Sequence, residues 1–121
     1  MSGEIKELVL FDQVVPASAS TTYGPIIHVD GSLVEVEAKA SALGLNGTLT
    51  INGGNGKADA LQPVLGLDAT AEVDISAVDI SSAVSARWRV LSAQKYVQVV
   101  IVQGATAGRV RVTGLVEVDQ Q

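Results

Sequence analysis

The sequence predicts an all-β protein built as an antiparallel sandwich or barrel of about eight strands. Apolar and polar residues alternate within segments of five to ten residues, and stretches rich in turn-forming residues separate these segments. The chain is 47% hydrophobic but only 3% aromatic, so its core must consist mainly of Val, Ile, Leu and Ala, which suit pleated sheets. Only residues 79–85 could form a helical turn, and their Ser and Val content does not favour one.

The predicted strands follow from this alternation in chain order. They cover residues 7–15, 26–30, 33–42, 47–52, 60–65, 71–75, 86–91 and 96–103, with 109–118 as a ninth segment. Pro16 and the Ser, Ala and Thr residues of 17–22 mark a loop after the first strand. Pro25 opens the second strand, a position that proline tolerates because it cannot donate to a sheet ladder.

Glycine-containing turns separate the later strands, because Gly and Asn tolerate the positive φ angles of tight turns. These turns are Asp30-Gly31, Asn46-Gly47 and residues 52–56. The longest alternating run, residues 87–118, has a turn at 103–108. It predicts an antiparallel hairpin between the last two strands.

The alternation also predicts which strand faces are buried. In residues 33–39 one face carries charges and the other is apolar, so one face is wet. The charged face holds Glu35, Glu37 and Lys39, and the apolar face holds Val34, Val36 and Ala38. In residues 96–102, Val97, Val99 and Ile101 share one face, whereas Val100 and Val102 share the other. Both faces are apolar, so this strand is either central or covered by a partner subunit.

Length and composition predict a single domain, residues 1–121, that folds without disulfides. A chain of 121 residues buries roughly two thirds of its unfolded surface, and it contains no cysteine. Residues 1–10 carry Glu4, Lys6 and Glu7 rather than a basic flank followed by an apolar stretch, so they do not resemble a secretory signal, and no apolar run approaches the roughly 20 residues that cross a bilayer. We therefore expect synthesis in the cytoplasm and no membrane partner. The net charge of −5 argues against a nucleic-acid partner.

The charge is unevenly distributed along the chain. Residues 1–79 hold three basic and eleven acidic side chains, a net −8, whereas residues 80–121 hold five basic and two acidic ones, a net +3. The five basic residues of the second part are the candidate protein interface: Arg87, Arg89, Lys95, Arg109 and Arg111. Their segregation favours packing between copies or docking on an acidic surface. The alternative is that these side chains pair within one fold.

The sequence offers no convincing catalytic, cofactor or metal site. The single histidine, His28, lies in a predicted strand, and no serine or threonine sits in a nucleophile-elbow motif. The densest acidic group could offer oxygen ligands to calcium, but its spacing fits no known loop and an acidic strand edge explains it as well. This group comprises Asp68, Glu72, Asp74 and Asp79. The Gly-rich stretch 53–59 is interpreted as a hairpin tip. We therefore predict that the protein is not an enzyme.

The aromatic residues include two anchors of the predicted core. Trp88 and Phe11 are the large apolar side chains available, and alternation puts Trp88 on the face opposite Arg87 and Arg89. We therefore expect Trp88 in the core and the two arginines exposed or at an interface.

From residue 17 to residue 118 the chain resembles small virion structural proteins of tailed bacteriophages. A Ser/Thr-rich lead-in precedes Pro25-Ile26-Ile27, and a charged alternating strand and a Gly/Asn hairpin follow. The later motifs are Gly47-Thr48-Leu49-Thr50-Ile51, Tyr96-Val97-Gln98-Val99, a Gly-Ala-Thr-Ala-Gly turn and a Val-rich final strand. The resemblance implies a β-sandwich of jelly-roll type.

The same resemblance implies a role in the virion. The expected function is that of a capsid decoration or cement protein, which reinforces the head shell as a homo-oligomer and has the major capsid protein or other virion proteins as partners. Two alternatives stay open, a neck or tail component and a carbohydrate-binding β-sandwich module. Residues 1–15 form either a strand of their own sandwich or an arm exchanged with a neighbouring copy.

Overall fold

The computed structural model describes residues 4–15, 21–40, 47–55, 61–68, 70–79, 84–91, 95–103 and 108–118. All regular elements in these ranges are strands, so the predicted all-β class is confirmed. The strands are β1 (Glu4–Val15), β2 (Thr21–Tyr23), β3 (Ile27–His28), β4 (Ser32–Ala40), β5 (Gly47–Gly54), β6 (Gln62–Pro63), β7 (Leu65–Asp68), β8 (Ala71–Asp74), β9 (Val78–Asp79), β10 (Val84–Val90), β11 (Tyr96–Gln103) and β12 (Gly108–Val118).

The strands form two antiparallel sheets. Sheet A has the order β1-β12-β4-β10-β7-β8. Sheet B has the order β2-β11-β5-β6, with β3 also paired to β11 and β9 also paired to β5. Apolar side chains from both sheets form one core between them, as predicted for an antiparallel sandwich. The finer expectation of a jelly-roll sandwich stays a prediction.

The predicted hairpin between the last two strands is wrong. β11 pairs with β5, β2 and β3 in sheet B, whereas β12 pairs with β1 and β4 in sheet A. Each strand buries one apolar face, and this pattern is the same whether two strands lie side by side or face each other across a core. The turn residues 104–107 lie outside the described part of the chain.

Two bulges adjust which residues face the core. In β1, Val9 pairs with Thr113 and Phe11 with Val112, so Leu10 is an extra residue, and both Leu10 and Phe11 are buried. In β4, an irregularity at Val34 lets Leu33 join the core beside Val36 and Ala38. The predicted exposed face of Glu35, Glu37 and Lys39 is confirmed, but Val34 is only half-buried because of this irregularity.

The predicted strand 60–65 is replaced by two short strands in different sheets. β6 belongs to sheet B and β7 to sheet A, and Val64 lies between them. Pro63 has no N–H group, so the ladder with β5 cannot continue through it regularly. The loop predicted at 17–22 also ends early, since Thr21 and Thr22 belong to β2.

A ring of three backbone hydrogen bonds marks the point where the chain changes sheets. The N–H of Val64 donates to the carbonyl of Ile51 (2.8 Å), that of Ile51 to Ile75 (2.9 Å) and that of Ile75 to Val64 (2.9 Å). All three side chains are buried. The hairpin β7–β8 therefore leaves sheet B at Val64, extends sheet A and returns at Ile75.

The core is aliphatic apart from two aromatic anchors. Phe11 and Trp88 are both buried, as predicted. Trp88 packs over Gly66, where an added Cβ would lie 3.0 Å from the Trp88 Cβ. The other buried apolar residues are Leu10, Val15, Val29, Leu33, Val36, Ala38, Leu49, Ile51, Val64, Ile75, Val97, Val99, Ile101, Val110, Val112 and Val116.

We predict that Gly31→Ala destabilises the fold. Gly31 joins β3 to β4 with φ = +124°, and an added Cβ would lie 2.3 Å from the Glu117 carbonyl oxygen. A side chain in such a conformation costs about 1–3 kcal/mol, to which the clash with the backbone adds. Chemical denaturation measures the loss, with Asp30→Ala as the control because Asp30 is exposed next to Gly31. Equal stability of the two variants would contradict the prediction.

We predict that Ala77→Gly stabilises the fold. Ala77 has φ = +52°, and its N–H donates to Thr50 Oγ1 at 2.9 Å. Glycine adopts this left-handed conformation without the Cβ penalty, so a gain of about 0.5–1 kcal/mol is expected. Ser76→Gly is the control, because the neighbouring residue has no positive φ and should lose stability. A loss in Ala77→Gly as large as in the control would argue against backbone strain at Ala77.

Candidate protein interface

The outer face of sheet A is covered by alternating acidic and basic strands. Acidic side chains lie on β1, β4 and β8, and arginines lie on β12 and β10 between them. This order places carboxylates beside guanidinium groups on neighbouring strands. The acidic positions are Glu7, Asp12, Glu35, Glu37, Glu72 and Asp74, and the arginines are Arg87, Arg89, Arg109 and Arg111.

Arg87 is the centre of an exposed ion-pair network on β4 and β10. Its Nε lies 3.0 Å from Glu35 Oε1, and its Nη2 donates to Glu37 Oε2 at 2.8 Å. Lys39 Nζ lies 3.8 Å from Glu37 Oε1 on the same strand. The Arg87 side chain is 65% exposed, so water and salt screen these pairs and they contribute little to stability.

A second set of ion pairs joins β1 to β12. Arg109 Nη2 lies 2.7 Å from Asp12 Oδ1, and Arg111 Nη2 lies 3.7 Å from Glu7 Oε1. Arg111, Glu7, Glu37 and Lys39 also surround a shallow depression of about 180 Å³. The charges that are segregated along the sequence are therefore interleaved in the sheet, and three of the five predicted interface residues pair within the fold.

The remaining two predicted interface residues lie apart from each other. Arg89 is exposed on β10, two residues after Arg87, with no ion pair to any carboxylate of the described residues. Lys95 precedes β11 in sheet B, where its N–H donates to the Gly54 carbonyl and its carbonyl accepts from Val29 N–H. The four arginines share the outer face of sheet A, and Lys95 does not belong to that patch.

The Arg87 guanidinium lowers the pKa of Glu37. The hydrogen bond from Arg87 is the largest cause; burial opposes it, and the charges of Lys39 and Arg87 add to the lowering. The same contact raises the pKa of Arg87. Both effects favour the charged forms of the pair.

The outer face of sheet B has the opposite character. Register places its outward side chains in four rows, and none of those side chains is Lys, Arg or Glu. The rows are Thr21, Val102, Thr48 and Asp79; Tyr23, Val100 and Thr50; Gln98, Asn52 and Pro63; and His28, Tyr96 and Gly54. Tyr23 is 69% exposed and Val102 is 49% exposed. Apart from Asp79 at its edge, this face is neutral among the described residues, and part of its exposed surface is apolar.

Side chains on this neutral face are held in place by local contacts. Gln98 Nε2 donates to the Gly24 carbonyl at 2.9 Å, while Gly24 N–H donates to the Val99 carbonyl at 2.8 Å. The rings of His28 and Tyr96 lie 5.2 Å apart at a tilt of 50°. β11 is indeed the central strand of sheet B, which is one of the two explanations predicted for its two apolar faces.

The alternation in the sequence indicates Val100 and Val102 as outward residues, whereas Thr21 falls in the segment that the sequence predicts as a loop and Tyr23 directly follows it. These residues belong to β2, which the loop assigned to 17–22 concealed. The available signal was the alternation of Thr21, Thr22 and Tyr23 before Gly24. The acidic residues considered for calcium do not form a cluster of three ligands within the described ranges, and His28 is exposed on a short strand. The Asp68 side chain lies outside the described part.

Comparisons with known proteins identify a shared fold. No protein-family model matches the chain, and no curated protein matches its sequence. The structure is similar to that of the SPBc2 prophage-derived protein YomS, with a TM-score of 0.60 and 11% identity over 95% of this chain and 96% of that one. A chain of the cyanophage Pam1 capsid asymmetric unit gives a TM-score of 0.49 and 14% identity, covering 98% and 87%. The chain and YomS therefore share one fold along almost their whole lengths.

The described residues include no helix long and apolar enough to cross a membrane.

We predict that Arg87→Gln raises the pKa of the Glu37 carboxyl group. The folded pKa of Glu37 is now lowered, so the pair stabilises the fold above the ordinary carboxyl pKa. That contribution is lost as the pH falls through the folded pKa of Glu37. An NMR titration of the side-chain carboxyl measures the pKa directly. Arg89→Gln is the matched control and should leave it unchanged; an unchanged pKa in Arg87→Gln would contradict the assigned cause.

Proposed function

We propose that the protein is a non-enzymatic structural component of a phage virion that decorates the head shell and reinforces it. The observation that carries the proposal is the fold shared with a prophage-derived protein over 95% of this chain. The resemblance of residues 17–118 to small virion proteins of tailed phages supports it independently. The partner would be the major capsid protein or another virion protein, and the site of action would be the virion.

The physical properties of the described surfaces suit this role. A reinforcing protein stabilises a shell by binding the assembled state in preference to the free subunits. Such binding needs a rigid body with broad faces, and this sandwich offers two with different chemistry. The hydrated ion pairs of sheet A suit a surface exposed to water, whereas the neutral face of sheet B suits burial against protein. Of the five predicted interface residues, Arg89 and Lys95 are the ones with no carboxylate partner in the described part of the chain, and they remain candidates for contacts with the shell.

The proposal is tested on phage particles with and without the gene for this protein. We expect particles that lack the protein to release DNA at a lower temperature, as followed by the fluorescence of a DNA-binding dye. Restoring the gene in trans should restore the release temperature. Equal release temperatures, with and without a chelator, would contradict reinforcement.

Copy number separates the decoration role from the neck or tail alternative. Quantitative mass spectrometry against the major capsid protein should find the protein in a number comparable to the repeating units of the head lattice. A number comparable to one ring of subunits would move the assignment to the neck or tail. Absence from purified particles would contradict a virion role altogether.

A further inference from the structure

We propose that the outer face of sheet B is the surface through which two copies of this chain associate. This inference deepens the proposed function, because a decoration protein that acts as an oligomer needs a contact between its copies. It rests on the four rows of side chains on β2, β3, β11, β5 and the edge formed by β6 and β9, which are neutral apart from Asp79. Its test uses the purified chain alone, so its outcome is separate from that of the virion role.

The composition of the outer face of sheet B favours contact with another protein. Tyr23, Val100 and Thr50 form a cross-strand row at its centre, and Val102 lies beside them in the next row. The centres of protein interfaces are depleted in charged residues and enriched in Tyr. The sheet A face also exposes Ile5, Val9 and Val14 along β1, but its ion-paired side chains would have to be dehydrated on binding.

The net charge of the chain favours a second copy as the partner that binds the outer face of sheet B. Each copy has a net charge of −5, so two copies repel each other over most of their surfaces. A face whose rows lack Lys, Arg and Glu lets like-charged copies approach with the least repulsion, and Asp79 lies only at its rim. A strongly charged partner would instead be steered by complementary charge, which this face does not offer. A second copy of the same chain therefore fits the face better than a charged macromolecule.

The area of the outer face of sheet B reaches the lower bound for a specific interface. Four strands at a spacing of about 4.8 Å span about 19 Å, and an eight-residue strand such as β11 spans about 27 Å. Each copy thus presents roughly 500 Å², and a pair buries roughly 1,000 Å², near the lower bound for a specific interface. An interface of this size is compatible with association in the micromolar range.

The geometry of sheet B allows the same sheet of a second copy to pack against it. Two sheets pack face to face at about 10 Å with interdigitated side chains, and the outer face of sheet B is formed by regular antiparallel pairs from Thr48 to Gly54 along β5. A two-fold axis near the central row would bring Val100 and Val102 of one copy against the same residues of the other. The exposed ring of Tyr23 would then lose most of its contact with water.

Sedimentation equilibrium of the purified chain over about 1–100 µM tests the inference. We expect a monomer–dimer equilibrium whose dissociation constant rises at least tenfold in Val102→Lys. Val14→Lys is the matched control, because Val14 is 59% exposed on β1 of sheet A. This control should change the dissociation constant less than about twofold. Thermal unfolding of each variant establishes that it is folded, and Tyr23→Ser offers a second, smaller change at a more exposed position.

Salt dependence gives a second readout that separates the two faces. Association through the sheet B face should hold or tighten in high salt, because salt screens the repulsion between two copies of net charge −5. Association through the ion pairs of sheet A should weaken in high salt. A chain that stays monomeric at the highest concentration would overturn the inference. A dimer that Val102→Lys leaves intact, or one that Val14→Lys or high salt dissolves, would overturn it as well.

Discussion

Val97, Val99 and Ile101 of β11 share one fully buried core with Val110 and Val112 of β12, across the space between the two sheets. The rest of the fold depends on this core, which both sheets share. Aliphatic side chains bury less area than aromatic ones, so the core needs many residues from both sheets rather than a few large anchors. Each long strand must therefore keep one face inside, and its other face is left to determine what the protein can bind.

The outward side chains of the two sheets differ in their charge. In sheet A the strand order places acidic β1 and β4 beside basic β12 and β10, so the charges compensate each other within the chain. In sheet B the central strand carries valines on both faces, and its neighbours present Thr, Asn and Tyr. The described surface is thus divided into a face of hydrated ion pairs on sheet A and a face with few charges on sheet B.

The sequence predicted the class of fold and most strand positions, because alternation reports directly which residues are buried. It could not predict which strands pair with each other in a sheet. The alternation of apolar and polar residues in β11 and β12 is the same whether the two strands pair or lie in opposite sheets. For the same reason the segregation of charge along the chain left open whether the basic residues pair within the fold, and it could not assign Arg87 and Arg109 to Glu37 and Asp12 on adjacent strands. The short strand β2 was missed because Ser and Thr dominate the preceding segment, and with it the exposed Tyr23.

The hydrogen-bonded ring of Ile51, Val64 and Ile75 separates the hairpin β7–β8 from the rest of the architecture. The chain leaves sheet B at Val64 and returns at Ile75, and the N–H of Ile75 bonds directly to the carbonyl of Val64. Both ends of the excursion are therefore fixed to each other, while β7 is fixed along its length by pairing with β10 and by the packing of Gly66 under Trp88. A change of length is consequently tolerated only at the tip of the hairpin, between the end of β7 at Asp68 and the start of β8 at Ala71, which makes the tip the place for a grafted peptide.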